Sequence, residues 1–216
     1  MIENKPSIYN GNGVYQNGGA KKHYPRMFYF GACWRIDDDV CKIAYDKGRL
    51  EMYHFTNDLN VSNIDSLYIS YKFKYNTSVD LNARLLDTSR SAGRRLITTY
   101  FESNPNLITD LCYNDNGSIY KHYGGIAYIN VDKEYFIEHF LDFVNNVYKV
   151  AVNGNVVIND DTINASLMKP QWFTPALGAK AGDLSYNLKN HFNLYRSGCM
   201  IKVNGVNVIP WEDLDE

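Results

Sequence analysis

The residues that come nearest to a catalytic set are the acids that end the chain, in the stretch Glu212-Asp213-Leu214-Asp215-Glu216. Enzymes that cleave glycosidic bonds use two carboxylates held about 5 to 9.5 Å apart, which requires a rigid element beneath them. The last residues of a chain seldom have that support, because few contacts hold them in place. The sequence therefore predicts a solvated acidic end without catalytic residues.

Metal ligation is a second chemistry that these residue types allow. Asp37-Asp38-Asp39 offers the hard oxygen ligands that calcium prefers, and Asn114-Asp115-Asn116-Gly117 offers a weaker version. Neither has the spaced ligands of a calcium loop, so we interpret both as turns. The cysteines contain no Cys-x-x-Cys pair, which disfavours zinc and favours buried free thiols over disulfides. These cysteines are Cys33, Cys41, Cys112 and Cys199.

The histidines show no pairing at ligand spacing in the sequence. His139 shares the parity of Ile137 and Leu141 in an alternating stretch, so we interpret it as a hydrogen-bonded core or edge residue. The sequence has no Gly-x-Ser-x-Gly turn, phosphate-binding loop or dinucleotide-binding fingerprint. We therefore expect no catalytic residues, no metal and no cofactor, and the chain is interpreted as a non-enzyme.

Sugar binding is a third chemistry open to this composition. It requires an aromatic ring together with amide and carboxylate groups on loops at one end of a domain. Aromatic residues make up 14% of the chain, and 18 of its residues are tyrosines. Tyrosine also suits strands and each tryptophan also suits a core, so both alternatives stay open. The candidate ligand-binding residues are Trp34, Asp87, Arg90, Tyr113, Asn114, Asp115, Tyr123, Trp172, Tyr186 and Asn187.

The elements that must position these residues are short strands. The stretch from Tyr135 to Ile158 alternates with the period of two that is typical of strands with one buried face. Asn145-Asn146 and Asn153-Gly154 interrupt it, and Asn-Gly is the strongest short hairpin signal because a type I′ turn needs positive φ at both central residues. We therefore predict three consecutive strands there, and a similar hairpin around Asn204-Gly205.

A further strand is predicted from Ser66 to Tyr75, with one buried face and one wet face. Strands are also expected at 83–87 and 95–101, joined by a loop from Thr88 to Gly93 where a ligand could bind. Gly124-Gly125 is expected to separate two strands. The residues predicted to face the core from the first of these strands are Leu67, Ile69, Tyr71, Phe73 and Tyr75.

About a dozen short strands with turns about every 8 to 12 residues predict an all-β fold of two antiparallel sheets packed face to face, with a single barrel as the alternative. We expect residues 23–216 to form this β-sandwich. Residues 1–22 are rich in Gly and Asn, and are interpreted either as a flexible leader or as an extended assembly arm. The arm would make its contacts through Tyr9, Val14 and Tyr15.

The charge and the apolar pattern exclude several partners. The net charge is −2 and the isoelectric point is near 6.2, so the sequence predicts no general attraction to nucleic acid. No apolar run is long enough for a membrane span, and the first residues lack the pattern of a secretory signal. We therefore expect a protein without a membrane or nucleic-acid partner.

The C-terminal half resembles the concanavalin A-like and laminin G-like jelly-roll superfamily. The resemblance is carried by a Val-Asn-Gly hairpin within Tyr148–Asn155, by Leu177-Gly178-Ala179, and by a closing stretch from Phe192 to Val203 that contains Gly198-Cys199-Met200-Ile201. It implies a jelly-roll sandwich. The superfamily includes lectins, glycanases, lyases and structural modules, so the resemblance does not choose among these functions.

The N-terminal sequence from Ser7 to Tyr15, with its many Asn and Gly residues, is similar to tailed-phage virion proteins. This resemblance implies a capsid-decorating, fibre or tail module that is assembled in the host cytoplasm. Its partners would be other virion proteins or further copies of itself, for example in a trimer, and a host surface glycan.

From these observations we predict a non-enzymatic structural and binding module of a virion. One alternative is a stand-alone carbohydrate-binding, lectin-like domain. Another is a glycanase or polysaccharide lyase, which would require two carboxylates, or a Tyr/His pair, converging on a concave sheet face.

Overall fold

The computed structural model describes residues 28–29, 33–35, 40–43, 51–52, 63–76, 82–91, 94–102, 106–114, 116–164, 168, 174–181 and 192–207. The elements within these residues are strands joined by turns. The strands are β1 (Phe28–Tyr29), β2 (Cys33–Arg35), β3 (Val40–Ile43), β4 (Glu51–Met52), β5 (Ser66–Tyr75), β6 (Asn82–Ser91), β7 (Arg94–Glu102), β8 (Leu107–Tyr113), β9 (Ile119–Tyr128), β10 (Glu134–Asp142), β11 (Val147–Val152), β12 (Asn155–Asp160), β13 (Thr174–Ala181), β14 (Phe192–Val203) and β15 (Val206–Asn207).

Among the described strands there are two large antiparallel sheets and one short pair. The larger sheet has eight strands in the order β12-β11-β10-β5-β14-β3-β2, with β15 paired to β14. The smaller sheet has five strands in the order β13-β6-β7-β8-β9, and β1 pairs with β4. The prediction of an all-β, two-sheet antiparallel sandwich is confirmed, and the alternative of a single barrel is not.

The core lies between the inner faces of the two sheets. Leu67, Ile69, Tyr71, Phe73 and Tyr75 of β5 are all buried, as their alternation predicts. The ring of Tyr75 meets that of Phe101 on β7, edge to face, with centroids 4.6 Å apart. Because side chains alternate along a strand, the other residues of β5 point away from the smaller sheet, onto what we call the outer face of the larger sheet.

The predicted turns confirm the interpretation of the central stretch as three strands, β10, β11 and β12. Asn146, Asn153 and Gly154 all have positive φ, and so do Asn204 and Gly205 between β14 and β15. Each Asn-Gly pair thus adopts the left-handed conformation that a two-residue hairpin requires. These turns fix the register of β10, β11 and β12, and with it the residues that each strand shows on either face.

Two predicted interruptions are wrong. The expected loop from Thr88 to Gly93 belongs to β6 as far as Ser91, and the Thr88 hydroxyl bonds both the amide and the carbonyl of Ile97 on β7. Gly124-Gly125 lies inside β9 rather than between strands. In both places the sequence shows polar or flexible residues, but pairing with a neighbouring strand overrides these local preferences.

Several predictions fall outside the described residues. The arm at 1–22, the Asp37-Asp38-Asp39 turn and the acidic C-terminus belong to this group, and the division into an arm and residues 23–216 stays a prediction. No helix in the described part of the chain has the length and apolar character needed to cross a membrane.

Candidate functional site

Polar side chains are concentrated in two places on the central strands of the larger sheet, one on each face. On the inner face, a buried cluster joins the two sheets. Its residues are Tyr71 on β5, Thr99 on β7, Asp110 on β8, His139 on β10 and Tyr148 on β11, and none is more than 1% exposed.

Hydrogen bonds connect every member of the buried cluster. Tyr148 donates to Oδ2 of Asp110, and Thr99 donates to Oδ1 of Asp110 over 2.7 Å. The Tyr148 hydroxyl lies 3.0 Å from Nδ1 of His139. Nε2 of His139 lies 3.3 Å from the hydroxyl of Tyr71 and 3.4 Å from that of Thr99. The prediction that His139 is a hydrogen-bonded core residue is confirmed.

Burial sets the protonation of this cluster. It raises the pKa of Asp110 to about 7, although the hydrogen bonds from Tyr148 and Thr99 oppose the shift. It lowers the pKa of His139 to about 3, so the imidazole is neutral at physiological pH. A polymer cannot reach groups that are fully enclosed between two sheets, so a substrate site must lie elsewhere.

The outer face of the larger sheet carries a second group of tyrosine, lysine and glutamate side chains. The outer-face cluster consists of Tyr68 and Lys72 on β5, Glu134 and Glu138 on β10, and Tyr195 and Lys202 on β14. Strand β5 lies between β10 and β14, so the cluster occupies three neighbouring strands. Its pairing register places Tyr68 opposite Lys202, and Lys72 opposite Tyr195.

Tyr68 forms one half of this cluster. Its hydroxyl donates to Oε1 of Glu138 over 2.7 Å, and Nζ of Lys202 lies 5.4 Å from the centroid of its ring. Partial burial, followed by the bond to the Glu138 carboxylate, raises the pKa of Tyr68 to about 12. Tyr68 therefore keeps its proton at neutral pH and holds it beside a carboxylate.

Lys72, Glu134 and Tyr195 form the other half with the same residue types. Nζ of Lys72 lies 2.6 Å from Oε2 of Glu134 and 4.6 Å from the ring centroid of Tyr195. Hydrogen bonds from Lys72 and Tyr195 lower the pKa of Glu134. The Lys72 and Glu134 side chains are 31% and 47% exposed, so this half remains accessible to a solute.

An irregularity in β14 lies between the two halves. The pairing of β14 with β5 shifts between Tyr195, opposite Lys72, and Met200, opposite Ser70. Gly198 is needed there, because a Cβ on it would lie 2.2 Å from Cβ of Lys72. The Gly198 carbonyl accepts a hydrogen bond from the Ser70 hydroxyl over 3.0 Å. Such bulges commonly re-aim side chains next to active sites.

The same irregularity corrects one prediction. The outer side of β5 was expected to be wet, but Ser70 is only 2% exposed, and its neighbours on that side are partly covered. Gly198 of β14 lies close to Lys72, so the centre of this face is covered at Ser70, and the residues on either side of it stay partly exposed. The sequence of β5 alone contains no sign of this approach, because it depends on the partner strand.

A third feature is a depression, largely open to solvent, between the edge strands β9 and β12; its volume is about 620 Å³, and we call it the seam cavity. Residues 122–126 and 157–160 line it. At one end Asp160 accepts hydrogen bonds from Lys121 and Tyr123, each over 2.6 Å. Burial alone would raise the pKa of Asp160, but the hydrogen bonds from Lys121 and Tyr123 outweigh it and keep that pKa well below its usual value.

The structure does not bring the predicted ligand-binding residues together in one place. Tyr123 lines the seam cavity, whereas Tyr113 is buried and Asn114 holds its own hairpin through a bond from the Ser118 amide. Trp34 lies in β2, and Asp87 and Arg90 lie in β6; of these three residues only the backbone is described. Asp115, Trp172, Tyr186 and Asn187 fall outside the described residues, and so do Tyr9, Val14 and Tyr15.

Sequence reasoning missed both polar clusters. It identified the alternating faces of β5 but could not show that β10 and β14 supply their partners, which come from 60 or more positions away along the chain. Within the described residues, Cys112 is buried and free, as predicted, and no group of histidine, cysteine and acidic side chains is arranged to hold a metal ion.

Comparison with known proteins places the chain by fold rather than by sequence. No family model matches it, and no curated protein matches it. The alginate lyase AlyC3 is 13% identical, with a TM-score of 0.52 over 81% of this chain and 77% of that one. Alginate lyase A1-II′ is 12% identical, with a TM-score of 0.55 over 80% of this chain and 83% of that one.

A Trypanosoma rangeli sialidase is 9% identical, with a TM-score of 0.56 over 83% of this chain but only 28% of the sialidase. This chain therefore corresponds to about a quarter of the sialidase and to most of each lyase. At these identities the likeness shows the fold alone, and that fold is the jelly-roll sandwich that the sequence resemblance implied.

The prediction that the protein is not an enzyme is wrong. It relied on the lack of a short catalytic motif, yet two of the similar structures are lyases matched over most of their length. In a sandwich the residues of a site come from strands far apart in sequence, as the outer-face cluster does here. The lack of a local motif is therefore no argument against catalysis.

Proposed function

We propose that the protein is a polysaccharide lyase that cleaves an acidic polysaccharide at the outer-face cluster. The observation that carries the proposal is the Tyr68–Glu138 pair with Lys202 against it, on the central strands of the larger sheet. The pair offers a proton acceptor and a proton donor side by side, and lysine offers a charge for a carboxylate. The lyase activity of two proteins with this fold supports the assignment.

The proposed reaction is a β-elimination at a uronate residue. Glu138 removes the proton next to the uronate carboxyl group, the electron pair forms a carbon–carbon double bond, and the bond to the leaving oxygen breaks. Tyr68 gives its proton to that oxygen, and Glu138 returns a proton to Tyr68. Lys202 lies where it can offset the negative charge that develops on the substrate and on Tyr68.

Hydrolysis by paired carboxylates fits the site less well. Glycosidases need one carboxyl group that donates a proton and another that attacks the sugar or activates water. Here Glu134 is occupied by Lys72 and Tyr195, and Glu138 by Tyr68. The cluster therefore supports proton transfer through tyrosine better than a carboxylate pair.

The test is turnover of purified protein on alginate, polygalacturonate and hyaluronan, with dextran as a neutral polymer. Elimination produces an unsaturated uronate that absorbs in the ultraviolet, whereas hydrolysis produces only new reducing ends. We expect absorbance to rise on at least one acidic polymer, and the Tyr68→Phe and Glu138→Gln variants to lose about 100-fold or more in rate.

Tyr128→Phe is the matched control, because Tyr128 is 69% exposed on β9 and distant from the cluster in the sheet order. It should leave the rate unchanged. Reducing ends without absorbance, or a Tyr68→Phe variant as fast as the parent protein, would contradict the proposal.

We further propose that the seam cavity binds a sugar residue. Tyr123, one of the predicted ligand-binding residues, lines it together with His122 and Asn159. The carboxylate of Asp160 is already paired with Lys121, so a neutral sugar fits better than a charged one. The test is binding of the protein to neutral oligosaccharides on a glycan array. Binding should weaken in the His122→Ala and Asn159→Ala variants. It should persist in Asn145→Ala, the control, because Asn145 is an exposed turn residue.

The narrower prediction of a capsid-decorating, fibre or tail module depends on the N-terminal sequence and stays a prediction. An enzyme or sugar-binding protein carried on a virion would fit it. The test is incorporation into assembled particles with and without residues 1–19; a truncated protein that is incorporated normally would contradict it.

A further inference from the structure

The buried cluster has a property that the proposed function does not use. Each of its members can both donate and accept a hydrogen bond, or changes between these roles with its protonation. All five lie in the core with no more than 1% exposure, so their partners must come from within the protein. The contacts allow two complete hydrogen-bond patterns, which differ by one proton.

The first pattern holds when Asp110 is ionised. Thr99 and Tyr148 both donate to the Asp110 carboxylate. The oxygen of Tyr148 must then accept, so Nδ1 of His139 carries the imidazole proton and donates to it. Nε2 of His139 is left as an acceptor, and Tyr71 donates to it. Every hydrogen-bond donor of the cluster is used.

The second pattern holds when Asp110 is protonated. The Asp110 carboxyl group now donates to Tyr148, and Tyr148 donates to Nδ1 of His139. The imidazole proton must therefore lie on Nε2, which donates to Thr99, and Thr99 donates to the other oxygen of Asp110. The bonds close into a ring of four residues. Each member of this ring donates one hydrogen bond and accepts one, whereas Tyr71 no longer donates to Nε2.

We propose that this cluster is a proton-responsive relay, in which gain or loss of one proton at Asp110 reverses the direction of the hydrogen bonds and moves the imidazole proton of His139 between Nδ1 and Nε2. In the uptake direction, a proton from water reaches Nε2 and Nδ1 passes its own proton to Tyr148. Tyr148 passes its hydroxyl proton to Asp110. One proton enters, and each group between the ends gives up as many protons as it receives.

The surroundings leave Asp110 as the group that titrates near neutral pH. Burial raises the pKa values of Cys112 and Tyr148, so the thiol and the phenol stay protonated, and it lowers the pKa of His139, which stays neutral. Lys121 and Asp160 remain an ion pair. The groups that face the relay from the neighbouring strands are Tyr71, Thr99, Cys112, Lys121, Tyr123, His139, Tyr148 and Asp160.

The relay lies directly behind the outer-face cluster. His139 follows Glu138 on β10, and Tyr71 lies between Ser70 and Lys72 on β5, so the two clusters share backbone. A reversal of bonds on the inner side therefore acts on the strands that hold Glu138 and Lys72. The relay itself needs no substrate, and its test is independent of the proposed function.

The test is nitrogen and carbon NMR of the full chain with labelled histidine, which distinguishes Nδ1–H, Nε2–H and imidazolium forms. From about pH 5 to about pH 9, His139 should change from Nε2–H to Nδ1–H with a midpoint near 7, without passing through the imidazolium form.

Asp110→Asn should remove the transition and hold His139 as Nε2–H, because the asparagine amide donates to Tyr148 as the protonated acid does. Asp160→Asn is the matched control, because Asp160 also accepts a hydrogen bond from a tyrosine but lies outside the relay. In this variant the midpoint of the His139 transition should stay within about half a pH unit of that in the parent protein. A single tautomer of His139 across the whole pH range in the parent protein would overturn the proposal, even if no variant folds. An unchanged transition in Asp110→Asn would do the same.

Discussion

Tyr148 and Tyr68 each donate a hydrogen bond to a carboxylate, the first on the inner face of the larger sheet and the second on its outer face. Tyr148 bonds Asp110 in a space closed by both sheets, and neither residue is exposed to solvent. Tyr68 bonds Glu138 on a surface that one neighbouring strand only partly covers. The two pairs have the same chemistry and differ in their access to water.

The difference in access to water suits the first pair to a structural role and the second to the catalytic role that we propose for it. In the closed pair, desolvation controls the acid and raises the pKa of Asp110 to about 7, and every partner is a fixed protein group. In the open pair the tyrosine keeps its proton, and a solute can displace its bond to Glu138. Buried polar networks of the first kind make one arrangement of the two sheets specific, whereas the second kind can exchange protons with a substrate.

Replacing each tyrosine by phenylalanine should separate these roles most clearly. Tyr148→Phe removes one buried hydrogen-bond partner from Asp110 and one from His139, so we expect the free energy of unfolding to fall by about 2 to 5 kcal/mol. Tyr68→Phe should cost about 1 kcal/mol or less, because water can replace the lost bond. Denaturant unfolding measures both, with Tyr128→Phe as the exposed control. Equal losses at the two positions would contradict the distinction.

Gly198 tests whether the close approach of β14 shapes the open face. Its Cβ in Gly198→Ala would lie 2.2 Å from Cβ of Lys72 and 2.9 Å from the Lys72 amide nitrogen, so the strands must move apart. We expect a loss of about 1 to 3 kcal/mol in unfolding free energy, together with slower turnover.

Gly124→Ala is the control for that change. The added Cβ would meet Nε2 of His122 at an ordinary 3.8 Å, and the residue has no positive φ. Its stability should stay within about 0.5 kcal/mol of the parent protein. A Gly198→Ala variant that is as stable and as active as the parent would show that β14 adjusts without consequence for Lys72.

Asp110 and His139 of the buried cluster should give opposite pH dependences of stability when one of the two is replaced. Asp110 has a raised pKa, so its contribution to stability is present below about pH 4 and is lost as pH rises to about 7. His139 has a lowered pKa, so its contribution is gained as pH rises from about 3 to about 6.5. In the parent protein the two slopes nearly cancel between about pH 4 and about pH 6.5.

Asp110→Asn should leave only the pH dependence due to His139. The free energy of unfolding should then increase by up to about 1.4 kcal/mol per pH unit between about pH 4 and about pH 6.5. His139→Gln should leave the acid slope, and stability should decrease with pH by a similar amount. Unfolding at several pH values measures both. Parallel curves for the two variants would contradict the opposed titrations.

The sequence predicted the residues of the inner face of the larger sheet better than those of its outer face, for a physical reason. The bounds of β5 and the burial of Leu67 through Tyr75 on its inner side follow from alternation, which is a local property of the chain. His139 was predicted to be a hydrogen-bonded core or edge residue by the same argument. Asp110 was not anticipated, because an acid in an apolar strand becomes acceptable only through partners on two other strands.

The contacts on the outer face depend on how the strands pair, and no local sequence pattern contains that pairing register. Glu138 meets Tyr68 because β10 and β5 pair over nine residues, and Lys72 meets Tyr195 because β14 shifts its register at Gly198. The alternation of β5 marked Tyr68 and Lys72 as outward-facing. Which side chains oppose them, and how closely, is decided by strands that lie far away in the sequence.

Glu134 gives the smallest expected effect and the sharpest contrast with Asp110. Hydrogen bonds from Lys72 and Tyr195 lower the pKa of Glu134. Its contribution to stability is therefore present above its pKa in the unfolded chain and is lost as pH falls through its pKa in the folded protein. This is the reverse of Asp110. Because its side chain is 47% exposed, solvent screening reduces the ion pair with Lys72 to a few tenths of a kcal/mol. A double-mutant cycle of Glu134→Gln and Lys72→Met measures this coupling, with Asp132→Asn and Lys74→Met as the matched exposed pair. A coupling above about 1 kcal/mol would mean that the outer face is shielded from water, and the contrast between an open and a closed pair would then have to be given up.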